Sequence, residues 1–313
     1  MNKERSEWEL KEKQNELAYQ VTDAYYKLIL ERKLLDLALE QSRLSERYLK
    51  QTEVFVELGL KSASDLQEVK ARREGDIYRY QSRENSSRIA LLHLKQLMNI
   101  QPGDTLAILD TITASQLPPY SVSTVETLYA QSIEILPSIR MIDLKQKAAH
   151  KEYAIAGGAF SPSVFARFTV GSNYYNTAFS ARQLRDNIGV GISFPLLSGL
   201  QRLTNQRKLK LNMYRLKNEE ELEKQQLYTD IEQTLLSLHT GYSEHQQALS
   251  QLDAETLVLK ESERKWEEGL ISVFQLMEAR NRFIAAKAEL VRVRLQIEMM
   301  MKLEKYYRQG TFL

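Results

Sequence analysis

Between Gln201 and Glu268 the chain carries a single glycine, Gly241, and no proline. With nothing to break it, this stretch predicts one helix roughly 100 Å long at about 1.5 Å per residue. That is several times the diameter of a small domain, so no globular core can bury it. It must lie along other helices. Its apolar positions agree: Ile231, Leu235, Leu238, Tyr242, His245, Leu249 and Leu252 follow at 4-3-4-3-4-3 spacing, with His245 the one polar member. Such a heptad seam lets neighbouring helices supercoil.

Gly and Pro divide the remainder. Met1–Leu58 has neither, and Ser62–Ile100 has only Gly75. Gln101–Ser123 holds three prolines and short β-branched runs, which predict an irregular or strand-containing connection. Val125 to about Gly157 reads as helix with a break at Pro137, and Ser272 to about Gln309 as a last helix. With 6 Pro, 12 Gly and 43% hydrophobic residues, the chain is too apolar for disorder and too poor in turn-formers for an ordinary all-β or α/β enzyme.

The chain also repeats itself at an offset of 210 residues. Gly59-Leu60-x-Ser62-x-x-Asp65-Leu66-x-Glu68 returns as Gly269-Leu270-x-Ser272-x-x-Gln275-Leu276-x-Glu278. In the same register Val21, Tyr25, Leu28, Leu35, Leu39 and Leu49 pair with Ile231, Leu235, Leu238, His245, Leu249 and Leu259. Gly59 and Gly269 fit the left-handed residue that follows a helix. Ser62 and Ser272 fit N-caps, with Asp65 and Gln275 at the third helical position of a capping box. Each repeat therefore predicts two antiparallel helices joined by a minimal turn. That reading leaves Leu60, Leu270 and Phe274 unexplained at exposed tips, where repeated apolar residues would make a docking surface.

Ser161–Gly199 has strand periodicity. Val164, Ala166, Phe168 and Val170 alternate with Phe165, Arg167, Thr169 and Gly171; Ile188, Val190, Ile192 and Phe194 alternate with Gly189, Gly191 and Ser193. One face is apolar, and the other is small or polar except for Phe165. Each run approaches the roughly 9–11 residues a tilted strand needs to cross a bilayer. Two strands alone are marginal in water, so symmetry-related copies are the natural partners. A hairpin packed on helices in a soluble protein is the other reading.

Two helical hairpins sharing this turn, and a strand hairpin ending in Phe194-Pro195-Leu196-Leu197-Ser198-Gly199 before a very long helix, resemble the TolC-like outer-membrane efflux proteins. The similarity covers nearly the whole chain. It implies a mainly α fold: two long antiparallel helical hairpins forming α-barrel segments, plus one transmembrane β-hairpin contributing to a trimeric β-barrel. The division it implies is a first helical hairpin over 1–100 (tip 58–65), an equatorial connection over 101–124, a helical segment over 125–160, the barrel hairpin over 161–199, and a second helical hairpin over 200–309 (tip 268–275). The function implied is a passive export duct in a tripartite efflux or type I secretion system, in the outer membrane of a Gram-negative bacterium and extending into the periplasm.

Implied partners are two further copies in a homotrimer, a periplasmic adaptor (membrane fusion) protein, an inner-membrane transporter of the RND, ABC or MFS type, and the lipid bilayer. By motif, Gly59, Leu60, Ser62, Leu66, Gly269, Leu270, Ser272 and Leu276 become tip and docking candidates. The strand residues Val164, Ala166, Phe168, Val170, Ile188, Val190, Ile192 and Phe194 become lipid-facing. Asp65, Glu68, Gln275 and Glu278 are candidates for the periplasmic entrance, where three-fold carboxylate rings would favour cations; they read equally as polar residues favoured at a helix start.

One feature departs from the family, whose members carry two strand hairpins per chain. At the repeat offset, the partner of the 161–199 hairpin falls before Met1, so three copies would supply six strands rather than twelve. The expectation is a fragment or an N-terminally truncated product. MNKERSEWELKEKQ also lacks the apolar core of a signal peptide.

Other classes find little support. Four scattered His, no Cys and no HExxH, P-loop or GxGxxG give no catalytic, metal or cofactor site. A net charge of +2 gives no pull toward nucleic acid, and the basic run Gln206–Lys217 reads as a solvated helix face. No apolar stretch is long enough for a transmembrane helix, a test that a β-barrel passes unnoticed. A soluble coiled-coil scaffold or an adaptor-like protein is the competing reading.

Overall fold

The computed structural model describes residues 2–108, 117–119, 123–172, 184–194 and 200–312. Its elements are α1 (Asn2–Glu57), α2 (Ala63–Leu97), α3 (Val125–Ile135), α4 (Pro137–Gly158), β1 (Ser163–Ser172), β2 (Leu184–Ser193), α5 (Gln201–Glu267) and α6 (Val273–Gln309). The unbroken run after Gln201 forms a single helix of 67 residues. At Pro137 the chain does more than kink. Leu136, forced out of the helical region by the ring that follows, is extended at ψ 132°, and Pro137 opens α4, where its missing N–H costs nothing. Part of the proline-rich connection, 109–116 and 120–122, lies outside the described residues.

The chain packs as two units, each built from separate stretches. One comprises Leu10–Pro137 and Gln226–Leu313. Within it the α5 seam is fully buried at Ile231, Leu235 and Leu238, and half-buried at Tyr242, His245, Leu249 and Leu252. The one glycine of α5 has a packing reason: a Cβ on Gly241 would stand 2.9 Å from Ile297 Cγ1, so α6 closes directly on the α5 backbone. Ala24, Leu28 and Leu94 knit α1 to α2, with Leu106 and Ile108 of the connection laid over them. Buried Ser132 on α3 donates to the Tyr307 carbonyl of α6 at 2.8 Å.

The other unit comprises the first residues of α1 and Ser138–Gln225. Here α4 runs antiparallel to the first part of α5. Gln146 donates to the Leu216 carbonyl (3.3 Å) and to Glu220, while Gly157 faces Gln206. Beyond the helix ends, β1 and β2 form a two-stranded antiparallel sheet, in register from Ser163↔Ser193 to Ser172↔Leu184. Among the described residues no helix is long and apolar enough to cross a membrane.

Candidate functional site

Both helix-hairpin tips are built by the same backbone device. Gly59 and Gly269 take φ +72° and +75°. Around the first, Leu60 N–H donates to Phe55 O (2.8 Å) and Gly59 N–H to Val56 O (3.0 Å); around the second, Leu270 N–H donates to Lys265 O (2.8 Å) and Gly269 N–H to Trp266 O (3.0 Å). These paired bonds are a Schellman closure that satisfies the last carbonyls of α1 and α5. Three residues on, Ser62 and Ser272 each form a complete capping box with Asp65 and Gln275. The Asp65 carboxyl is held below its ordinary range by the Ser62 N–H and hydroxyl it accepts from.

With the backbone thus closed, the apolar residues at the tips are left facing outward. Leu60 is 65% exposed and Leu270 68%, and Leu58 and Phe274 are exposed beside them. Leu66 is half-buried. Leu276 departs from the docking set: it is fully buried, packed with Tyr48, Val69, Trp266, Val273 and Met277 in the core under the tips. One turn inside α6 it points at the other helices, so it supports the tip and offers no surface. Sequence reasoning also passed over Trp266, which anchors this core with its ring edge-on to Tyr48 at 5.3 Å and tilted to Phe55 at 5.6 Å. The available signal was a break in the repeat, since Trp266 stands where the first hairpin has Val56.

Polar contacts tie one tip to the other. Lys61 Nζ donates to the Ile271 carbonyl at 3.4 Å, and the Arg72 guanidinium lies over the Phe274 ring at 5.7 Å. Deeper in, Tyr48 Oη donates to Glu263 at 3.0 Å, and burial followed by that carboxylate pushes the phenol up to about 12. Arg280, 2% exposed, donates to the Gln41 carbonyl at 2.9 Å and stacks over Tyr48; burial lowers its pKa. Buried Asp76 accepts from Gln41 at 2.9 Å, from Ser45 and from Arg79. Sequence reasoning did not single out this charged cluster, because nothing in local sequence marks which helix-face charges turn inward.

The four entrance candidates are dissimilar. Asp65 and Gln275 are turned back onto their caps, Glu68 is half-buried, and exposed Glu278 accepts from Arg282 at 3.5 Å.

The strand pair brings its apolar residues together. Val164 faces Ile192, Ala166 faces Val190 and Phe168 faces Ile188, all on one side of the sheet, with Phe194 just past the end of β2. This face is bare: Val164, Phe168, Val170, Ile188, Val190, Ile192 and Phe194 are all largely exposed, Val190 at 75%. Among the described residues Asp186, paired with Val170, is the one charge on it. On the opposite side Phe165, which broke the small-residue pattern, lays its ring over Gly191. A Cβ there would come within 2.6 Å of the ring, so the glycine makes room for the aromatic residue across the ladder.

The sequence profile of the outer membrane efflux protein family matches residues 128–299, more than half of the chain. No curated protein matches the sequence. The fold is similar to that of the Campylobacter jejuni CmeC outer membrane channel, with a TM-score of 0.81 over 98% of this chain and 65% of that one at 15% identity. It is similar to the open state of the Neisseria gonorrhoeae MtrE outer membrane channel, with a TM-score of 0.80 over 99% and 69% at 18% identity. It also resembles the outer membrane protein VceC of Vibrio cholerae, with a TM-score of 0.80 over 99% and 73% at 15% identity. At these identities the likeness is one of fold, and the chain spans about two thirds of the length of the channels it matches.

Proposed function

We propose that this chain, which belongs to the outer membrane efflux protein family, is a subunit of a trimeric export duct serving a tripartite efflux pump or a type I secretion system. The family's members are passive channels, not enzymes. The observation that carries the reading is the exposed apolar face of β1 and β2. In water such a face is a liability, and a two-stranded sheet alone is marginal. Set in a barrel completed by other strands, the same face meets lipid and the opposite face, with Gly189, Gly191, Arg167 and Thr169, lines the interior. A soluble coiled-coil scaffold gives this face no role.

In this reading the helical hairpins continue the duct into the periplasm and their tips meet the adaptor. Leu60 and Leu270 supply the contact, with Leu58 and Phe274. Gly59, Gly269, Ser62 and Ser272 set the turns, Leu66 flanks the first, and Leu276 holds the second from beneath. Glu278, exposed beyond the second turn, is the strongest of the entrance candidates.

A charge placed on either side of the sheet tests the reading. Val190→Asp should keep the full-length protein out of the outer-membrane fraction, while Gly189→Asp, whose side chain enters open space on the other face, should fractionate normally. Equal fractionation of the two variants would refute a lipid-facing hairpin.

A further inference from the structure

The first turns of α5 carry charge of one sign. Gln201–Lys217 contains Arg202, Arg207, Lys208, Lys210, Arg215 and Lys217 and no acid; the acids begin at Glu219. The structure shows what stands among these charges. Leu203, Arg207, Lys210, Leu211 and Tyr214 fall at helical spacing on one face, opposite buried Leu216, and all five are exposed. Gly157 against Gln206 holds the last turn of α4 beside them, so exposed Ile155 and Phe160 join exposed Leu200 where the helices meet the strands.

Three of these charges also stand outside any ion pair among the described residues. Three acids further along α4 and α5 have their own cations: Asp143 takes Lys147 at 2.7 Å, Glu219 takes Lys145 at 3.7 Å and Glu220 takes Lys224 at 2.6 Å. Among the described residues Arg207, Lys208 and Lys210 make no ion pair. Lys210 Nζ instead lies over the Tyr214 ring at 6.0 Å.

Apolar residues interleaved with unpaired Lys and Arg at the foot of a lipid-facing strand pair are the composition of a membrane–water boundary. Aliphatic and aromatic groups enter the acyl layer while long basic side chains reach the phosphates. We infer that Arg207, Lys208 and Lys210, seated by Leu203 and the apolar residues around it, bind anionic phospholipid headgroups in the leaflet from which the helices emerge. This rests on the hairpin being lipid-facing. These three lie roughly 10–15 Å along the helix from Leu200, within the headgroup layer and one Debye length of it. Arg215 and Lys217, roughly 22–26 Å away, lie beyond its reach.

The test uses the purified full chain with neutral phosphatidylcholine vesicles and with vesicles containing one quarter phosphatidylglycerol. Flotation reads affinity, and resistance to alkaline carbonate reads integration. The chain should integrate into both, with affinity for the anionic vesicles on the order of 100-fold higher at about 0.1 M salt, where the Debye length is about 10 Å, from about fivefold per headgroup-reaching charge. Arg207→Gln/Lys208→Gln/Lys210→Gln should still integrate but lose that preference. Arg215→Gln/Lys217→Gln should keep it within about threefold. Equal affinity of the unaltered chain for both vesicles, or a preference that survives the triple substitution, would overturn the inference. Failure to integrate into either vesicle would instead overturn the lipid-facing hairpin, and this inference with it.

Discussion

Leu270 and Leu276 sit six residues apart at the same tip, and the structure assigns them opposite consequences. Leu276 has no exposed surface and is enclosed by Trp266, Val69, Val273 and Met277. Truncating it removes three buried carbons and leaves a cavity between helices whose backbones are fixed by two Schellman turns. Such Leu→Ala changes cost about 2–5 kcal/mol; with Trp266 unable to collapse into the gap, about 3 kcal/mol is expected. In a unit of this size that is a fall of roughly 6–12 °C in Tm. Leu270, 68% exposed, should tolerate even Asp within about 0.5 kcal/mol. Thermal unfolding of the purified protein, followed by circular dichroism, separates the two. Efflux in a host lacking its own channel then reads function: Leu60→Asp/Leu270→Asp should abolish export while leaving trimers intact on native gels. A Leu276→Ala loss below about 1 kcal/mol would refute the core assignment, and full export by the double Asp variant would refute the docking surface.

Three further outcomes follow. Gly269→Ala should cost about 1–2 kcal/mol in chemical denaturation, since its Cβ meets open space and the penalty is that of a left-handed backbone alone; a neutral result would show that the turn relaxes. Ser62→Ala should cost about 1 kcal/mol and let the Asp65 carboxyl titrate nearer its ordinary value, seen by NMR as an upward shift. Tyr48 holds its proton to about pH 12 when folded against 10 when unfolded, so its contribution is complete below pH 10 and lost as pH rises toward 12. Tyr48→Phe should therefore shallow the alkaline loss of stability in that window, and an unchanged slope would sink the assignment.

The fold was legible because its punctuation is chemical. Helix ends coincide with Gly59, Gly269 and Pro137, whose backbone preferences no tertiary contact needs to override, and the alternation at 164–170 and 188–194 survives as one face of a sheet. The mainly helical class, with its strand pair, could be read from these features alone. What failed to show was the identity of partners across helices. The repeat treats Leu66 and Leu276 alike, yet only the second meets a tryptophan. Asp76 on α2 and Arg280 on α6 look like surface charges in helices with no strong amphipathic pattern, and only packing turns them inward.

The absence of cysteine from the sequence opens the most direct test of the central claim. Single cysteines from Val164 to Val170 and from Ile188 to Ser193 can be spin-labelled, and each label's access to membrane-dissolved oxygen compared with its access to a water-soluble nickel complex in reconstituted vesicles. A strand pair in a barrel wall predicts alternation with a period of two. Positions 164, 166, 168, 170, 188, 190 and 192 should be rich in oxygen, and those between them open to nickel. Uniform access to nickel along both strands would contradict a lipid-facing hairpin, and with it the reading of this chain as part of an outer-membrane duct.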